Sequence, residues 1–178
     1  MAGIANWAGN VRFGARAVHA PGSLDELRST VAASDRCRVL GSGHSFNRIA
    51  DTDGDLIALS ELPRLIEIDR SAATVTVGGG VCYGELAVAL HSAGWALANM
   101  ASLPNVSVAG AVATGTHGSG DRNGALASTV VAVEIVTATG DVVRIAEGDR
   151  DFLGAVVALG SLGVASALTL RIEPTFDV

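Results

Sequence analysis

The chain has 178 residues, a net charge of -6, 22 glycines and few aromatics, and none of its 12 basic residues is lysine. Without lysine there is no P-loop lysine, no Schiff base and no catalytic lysine in this chain, and without a basic run the sequence points away from nucleic acid. The length suits one domain, or one domain of two small lobes, and is enough to bury a core without staples.

Residues 1–10 lack the charged and apolar regions of a signal peptide, so the expected location is the cytoplasm. Ser23 has capping-box spacing to Glu26, and Leu24, Leu27 and Val31 share one helical face, which predicts a helix over 23–34. Short strands follow at 38–40 and 56–59. Residues 65–68 and 74–77 read as a hairpin, and 83–93 as a helix stopped by Gly94, with Tyr83 packing at its start. Residues 99–124 are rich in small residues and nearly free of charge, and read as a long functional loop. A second hairpin is predicted from 130–137 and 141–145, a helix over 149–159, and a last strand over 164–172. Strands and hairpins with helices between them make an α+β fold, in two lobes that meet near 60–75.

Three features read as structural. Cys37 and Cys82 form no disulfide framework and no metal spacing, and read as small, partly buried thiols. Residues 152–170 carry no charge over nearly a membrane-span length, but Gly154, Gly160 and Gly163 interrupt them. A buried helix-turn-strand unit is the better reading, with no membrane partner. Asp51, Asp53 and Asp55 read as a solvated polar turn, and His19 and His91 match no motif.

Two glycine loops carry the chemistry. Gly41-Ser42-Gly43-His44-Ser45 follows a predicted strand, and its glycines let backbone approach a diphosphate closely. It is not a Rossmann fingerprint, because the third glycine position holds Phe46 and no amphipathic helix follows. Thr114-Gly115-Thr116-His117-Gly118-Ser119-Gly120 is the second loop. Together they suit a long ligand with a central diphosphate and aromatic ends. From the residues alone, His44 is a loop histidine bonded to backbone or a nucleophile.

These residues resemble a known family. Asn6-Trp7-Ala8-Gly9-Asn10, the run 39–47, Val77-Gly78-Gly79-Gly80-Val81, the run 99–104 and the run 107–120 occur together and in the same order as in the FAD-binding domains of the vanillyl-alcohol-oxidase-type, or PCMH-type, flavoproteins. The chain looks most like the alditol (xylitol) oxidases, beside the sugar-lactone oxidases. The resemblance implies a small, mostly parallel lobe and a mixed or antiparallel lobe with FAD between them. It implies that His44 carries the flavin covalently. It implies that Val39, Leu40, Gly41, Ser42, Gly43 and Ser45 line the diphosphate. Ser102, Ser107, Gly110, Thr114, Gly115 and Gly118 would hold the isoalloxazine and ribityl side, and Val164 the adenine end. His117 lies near the flavin or serves its own loop. No metal is implied. In that family a substrate domain follows the FAD domain and supplies the acid–base residues. It is absent from residues 1–178, so the expectation is a flavin domain that meets its polyol only together with that second domain, oxidises it by hydride transfer and passes the electrons to oxygen, giving peroxide. A stand-alone flavin module without turnover is the alternative from another class.

Overall fold

A computed structural model of the chain describes residues 4–176. The first sheet is parallel and small: β1 (Ala17–His19), β2 (Cys37–Leu40) and β3 (Asp55–Ala58) lie in the order β1-β3-β2. The helix α1 (Leu24–Ala33) connects β1 to β2. Ser23 Oγ accepts from the Glu26 N–H at 3.1 Å, while Glu26 Oε2 reaches back to the Gly22 N–H at 2.8 Å. Each bond satisfies an amide at the helix start that has no intrahelical partner. Leu27 and Val31 are buried and pack with Ile57, Leu59 and Leu62, and with Val136 and Val164 of the second sheet. One apolar face of α1 therefore joins the two lobes.

The second sheet is antiparallel, in the order β4-β5-β9-β7-β8: β4 (Ile66–Asp69), β5 (Thr74–Gly78), β7 (Val130–Val136), β8 (Val142–Ala146) and β9 (Val164–Arg171). Its inner face presents Val75, Val77, Val133, Ile135, Leu168 and Leu170. Against that face pack Leu86 and Leu90 of α2 (Tyr83–Ser92), Val108 and Val112 of α3 (Val108–Ala113), and Phe152 and Ala155 of α4 (Phe152–Val156). Gly94, at φ +82°, ends α2 in a conformation that side chains resist. Tyr83 is buried there, and desolvation pushes its hydroxyl up to about 12. A two-stranded piece, β6 (Trp95–Ala96) with β10 (Glu173–Pro174), completes the fold.

Several expectations change. The long loop over 99–124 contains α3, because Val108, Ala109, Ala111 and Val112 are buried, the remaining Gly110 and Ala113 carry no polar group, and such a helix shows no polar face to read. The helix expected over 149–159 shrinks to Phe152–Val156; Leu159 and Gly160 behind it are at φ +53° and +71°. The unit over 152–170 is a short helix, a turn and β9. No helix among the described residues is long and apolar enough to cross a membrane. Both cysteines are free and partly buried. Burial, with Asp55 beside Cys37 and Glu85 beside Cys82, pushes both thiols up.

The solvated acidic turn is also corrected. Only Asp53 is well exposed, paired with Arg36. Asp51 is mostly covered and accepts from the Gly14 and Thr52 N–H groups. Asp55 opens β3, is 5% exposed, and takes a fork from Arg16 with Nη2 3.1 Å from each oxygen. Burial works to raise the Asp55 carboxyl, but Ser34, Arg16 and His19 outweigh it and hold the group below the usual carboxylate range. A depressed folded value stabilises the fold above the unfolded value of about 3.9 and is lost as pH falls through the folded value. Asp55→Asn is therefore expected to lower the melting temperature at pH 7, and the gap to the unmodified protein should close below about pH 4. Melting curves at pH 7 and pH 3 check this; an equal gap at both would remove ionised Asp55 from the account.

Candidate functional site: a glycine-lined cleft between the lobes

Strand β2 runs straight into the loop of residues 41–47, which is one wall of a cleft of about 690 Å³. The opposite wall comes from residues 99–103, α3, and the loop of residues 116–120. Val133, Ile135 and Leu168 of the large sheet lie in its lining. Volume and apolar lining suit a buried organic ligand. Phe46, Met100 and Leu103 line the cleft and remain about half or more exposed, at 66%, 47% and 48%.

Small residues allow the first loop to touch the start of α3. A Cβ on Gly41 would stand 2.5 Å from Ser107 Oγ and 3.6 Å from Gly110 Cα, and a Cβ on Gly110 would stand 2.6 Å from the same oxygen. Either side chain would drive the walls apart. The Ser107 N–H donates to Ser42 Oγ at 3.2 Å, a direct tie between the first loop and the cap of α3. Gly43 sits at φ +69°, the left-handed region that glycine enters without steric cost, and turns the chain into His44.

The structure brings Val39, Leu40, Gly41, Ser42, Gly43, His44, Ser45, Ser102, Gly110, Thr114, His117 and Gly118 to this one cleft. Ser107, Gly115 and Val164 stand behind its surface. Ser107 is wedged between the glycines, and its buried Oγ has no hydrogen-bond partner. Gly115, at φ +63°, faces Val157, and Val164 is in the core beside cleft-lining Gly163 and Ala165. His117 lines the cleft and also donates from Nδ1 to its neighbour's carbonyl, Gly118 O, at 2.9 Å.

Sequence reasoning missed three participants. Asn99 lines the cleft, gives its amide N–H to the Gly124 carbonyl at 2.8 Å, and keeps a buried Oδ1 without a partner. Such an atom is costly to bury unless a ligand N–H or O–H reaches it. Arg38 lines the cleft from within β2 and donates to the Leu159 carbonyl at 3.1 Å. Its place just before the glycine loop was the available signal. The third is the turn of Leu159, Gly160 and Leu162, whose residues come from a segment that read as buried helix. Among the described residues, none that lines the cleft is Asp or Glu.

A family profile described as an FAD binding domain matches residues 15–146, and the chain belongs to this family of FAD-binding domains. The chain is 56% identical over 178 residues to alditol oxidase of Streptomyces sp. (strain IKD472 / FERM P-14339), covering 98% of this chain and 43% of that one. It is 39% identical over 177 residues to L-gulono-1,4-lactone dehydrogenase of Mycobacterium tuberculosis, covering 97% and 41%. In fold it is similar to the crystal structure of 6-hydroxy-D-nicotine oxidase of Arthrobacter nicotinovorans: TM-score 0.75, 23% identity, with 88% of this chain and 36% of that one aligned. The chain thus spans about two fifths of the length of these curated relatives. The two-lobed α+β fold is of the PCMH type expected from the sequence.

FAD is the cofactor, and the residues present fit it. Gly41 and Gly43 bring backbone to the cleft lining, and successive backbone N–H groups in such a loop suit a diphosphate. Arg38 brings positive charge to a cleft otherwise lined by neutral groups and two histidines. Asn99 Oδ1 is an unused acceptor for a polar edge of the ligand.

Proposed function

We propose that residues 1–178 form one two-lobed flavin-holding domain of an oxidase that acts on the CH–OH group of a polyol. The observation that carries this reading is the single cleft built from both glycine loops, with His44 on its wall and no carboxylate anywhere in its lining. The high identity to an alditol oxidase supports a polyol as substrate. When bound, the flavin accepts the carbinol hydride and passes the electrons to oxygen, giving hydrogen peroxide.

This chain's residues bind and orient. Arg38 and the amides of the first loop take the diphosphate. Asn99, Ser102 and Thr114 hold the ring and ribityl side, and the apolar walls exclude water. The hydroxyl proton of the substrate passes to a group outside this cleft, which fits a following substrate domain like the extra length of the relatives. His44 is the covalent anchor. Its imidazole would hold the flavin through one ring nitrogen, and a neutral imidazole is a capable nucleophile near neutral pH.

The test compares two forms. The full-length protein is expected to purify yellow and to make peroxide that saturates with xylitol or sorbitol. The 178-residue chain alone should hold flavin and make no polyol-dependent peroxide, because proton removal by a positioned group is worth on the order of 10²–10⁴ in rate. A folded protein that takes up no FAD sinks the reading, and polyol turnover by the chain alone sinks the two-domain part of it. The lactone dehydrogenase relative supports a second reading, a sugar-lactone enzyme. Faster flavin reduction by a lactone than by any polyol would favour it.

A further inference from the structure

The segment ahead of the small sheet sends Val11 and Phe13 into that sheet's core beside Leu56, and its turn lies against the His44 loop. Residues 4–13 form a small hairpin, with a bridge between Ala5 and Arg12 and a turn at Gly9, φ +70°. Asn6 is 4% exposed and acts as its anchor. The Asn6 amide N–H group donates to the Ser45 carbonyl at 2.9 Å and to Asn10 Oδ1 at 2.7 Å, while Asn6 Oδ1 accepts from the Val11 N–H at 3.0 Å. The Trp7 N–H donates to the Gly43 carbonyl at 2.9 Å, and the Asn10 amide donates to the Phe46 carbonyl at 3.1 Å. The backbone on both sides of His44 is thereby held by one turn.

Trp7 itself stands outside the cleft lining and is 65% exposed. An indole so exposed adds little to a core. What it touches is His44: the two rings are stacked, with centroids 4.7 Å apart and planes 24° from parallel. The imidazole therefore lies between the indole on one side and the cleft on the other. A histidine on a glycine loop would otherwise turn freely about two side-chain bonds, and that freedom is lost when it must meet one carbon of a bound ring.

We propose that Trp7 is a positioning residue for flavin attachment: its indole face fixes the plane of the His44 imidazole, and the Asn6 turn fixes the loop beneath it. The inference rests on the reading of His44 as the tether. It adds that the rate of bond formation, and not merely the presence of His44, is set by a residue outside the cofactor cleft.

The experiment uses the full-length protein, expressed under riboflavin starvation and then supplied with FAD. Covalent flavin is followed as fluorescence retained on the polypeptide in denaturing gels, and total flavin by absorbance. Trp7→Leu keeps apolar bulk and removes the flat ring, and Trp7→Phe restores one. We expect Trp7→Leu to bind FAD and to attach it about tenfold or more slowly, with Trp7→Phe recovering most of the rate. Attachment by Trp7→Leu at the unmodified rate overturns the proposal. So does a Trp7→Phe variant as slow as Trp7→Leu. If the unmodified protein never retains flavin, the tether reading itself has failed, an outcome visible before any Trp7 variant is made. If Trp7→Leu takes up no FAD at all while Trp7→Phe behaves normally, Trp7 serves folding or binding and the positioning role is rejected.

Discussion

His44→Ala is expected to abolish the proposed tether, so that flavin which stays on the unmodified polypeptide through denaturation washes away completely. The position explains the size of the effect. His44 lies in the cleft lining, and the other histidine there, His117, sits on the opposite loop and is engaged with its own backbone. A neutral imidazole is a capable nucleophile near neutral pH, and no lysine or cysteine lines the cleft to replace it. The remaining contacts to FAD are spread over both loops, so reversible binding should persist with a raised dissociation constant. The measurement is flavin fluorescence on the polypeptide after acid precipitation, set beside flavin absorbance of the native protein. Retained fluorescence in His44→Ala would move the attachment to another residue.

Gly163→Ala is expected to be the most damaging single methyl group in the cleft wall. Gly163 has φ +140°, and an added Cβ would lie 2.2 Å from the Val136 carbonyl oxygen and 2.8 Å from Ile135 Cγ2. The first neighbour is backbone at the last pair of the β7–β9 ladder, Val136 with Val164, and cannot swing aside. A strained backbone conformation costs about 1–3 kcal/mol, and overpacking costs a similar amount, about 1–3 kcal/mol. Domains have only about 5–15 kcal/mol of stability in total. The melting temperature should fall by about 5–20 °C, with loss of FAD occupancy, since Gly163 also lines the cleft. Gly154→Ala provides the control of opposite sign. Gly154 lies inside α4 with nothing within 4 Å of an added Cβ, so alanine should stabilise by about 0.5–1 kcal/mol. Calorimetry of the two variants side by side decides. If both melt like the unmodified protein, the close packing at Gly163 carries no energetic weight.

Much of this was written locally in the chain. Helix α1 announced itself through Ser23, Glu26 and the Leu27–Val31 spacing because capping and amphipathicity are short-range properties. The hairpins at 66–78 and 130–146 were visible because side chains alternate at period two across a half-buried sheet. The glycine loops stood out because glycine and serine replace charge where backbone must meet a ligand. Other features had no local signature. The strands β1, β6 and β10 have two or three residues each, and exist because a neighbouring strand pairs with them. Helix α3 is apolar on all sides because it lies between the core and the cleft, with Gly110 and Ala113 on the cleft side, which erases the periodicity that marks a surface helix. Asp55 looked like part of a solvated turn until Arg16, 39 positions away, closed on it. Asn6, Trp7 and Ser45 likewise meet only after folding, as do Arg38 and Leu159. The sequence by itself determined α1, α2, the two hairpins, the α+β class and the two glycine loops that line the cleft, since each follows from residues within one turn or one strand. Tertiary structure alone decided which side chains stand behind those loops, because a contact across 39 or 121 positions is set by the packing of whole elements.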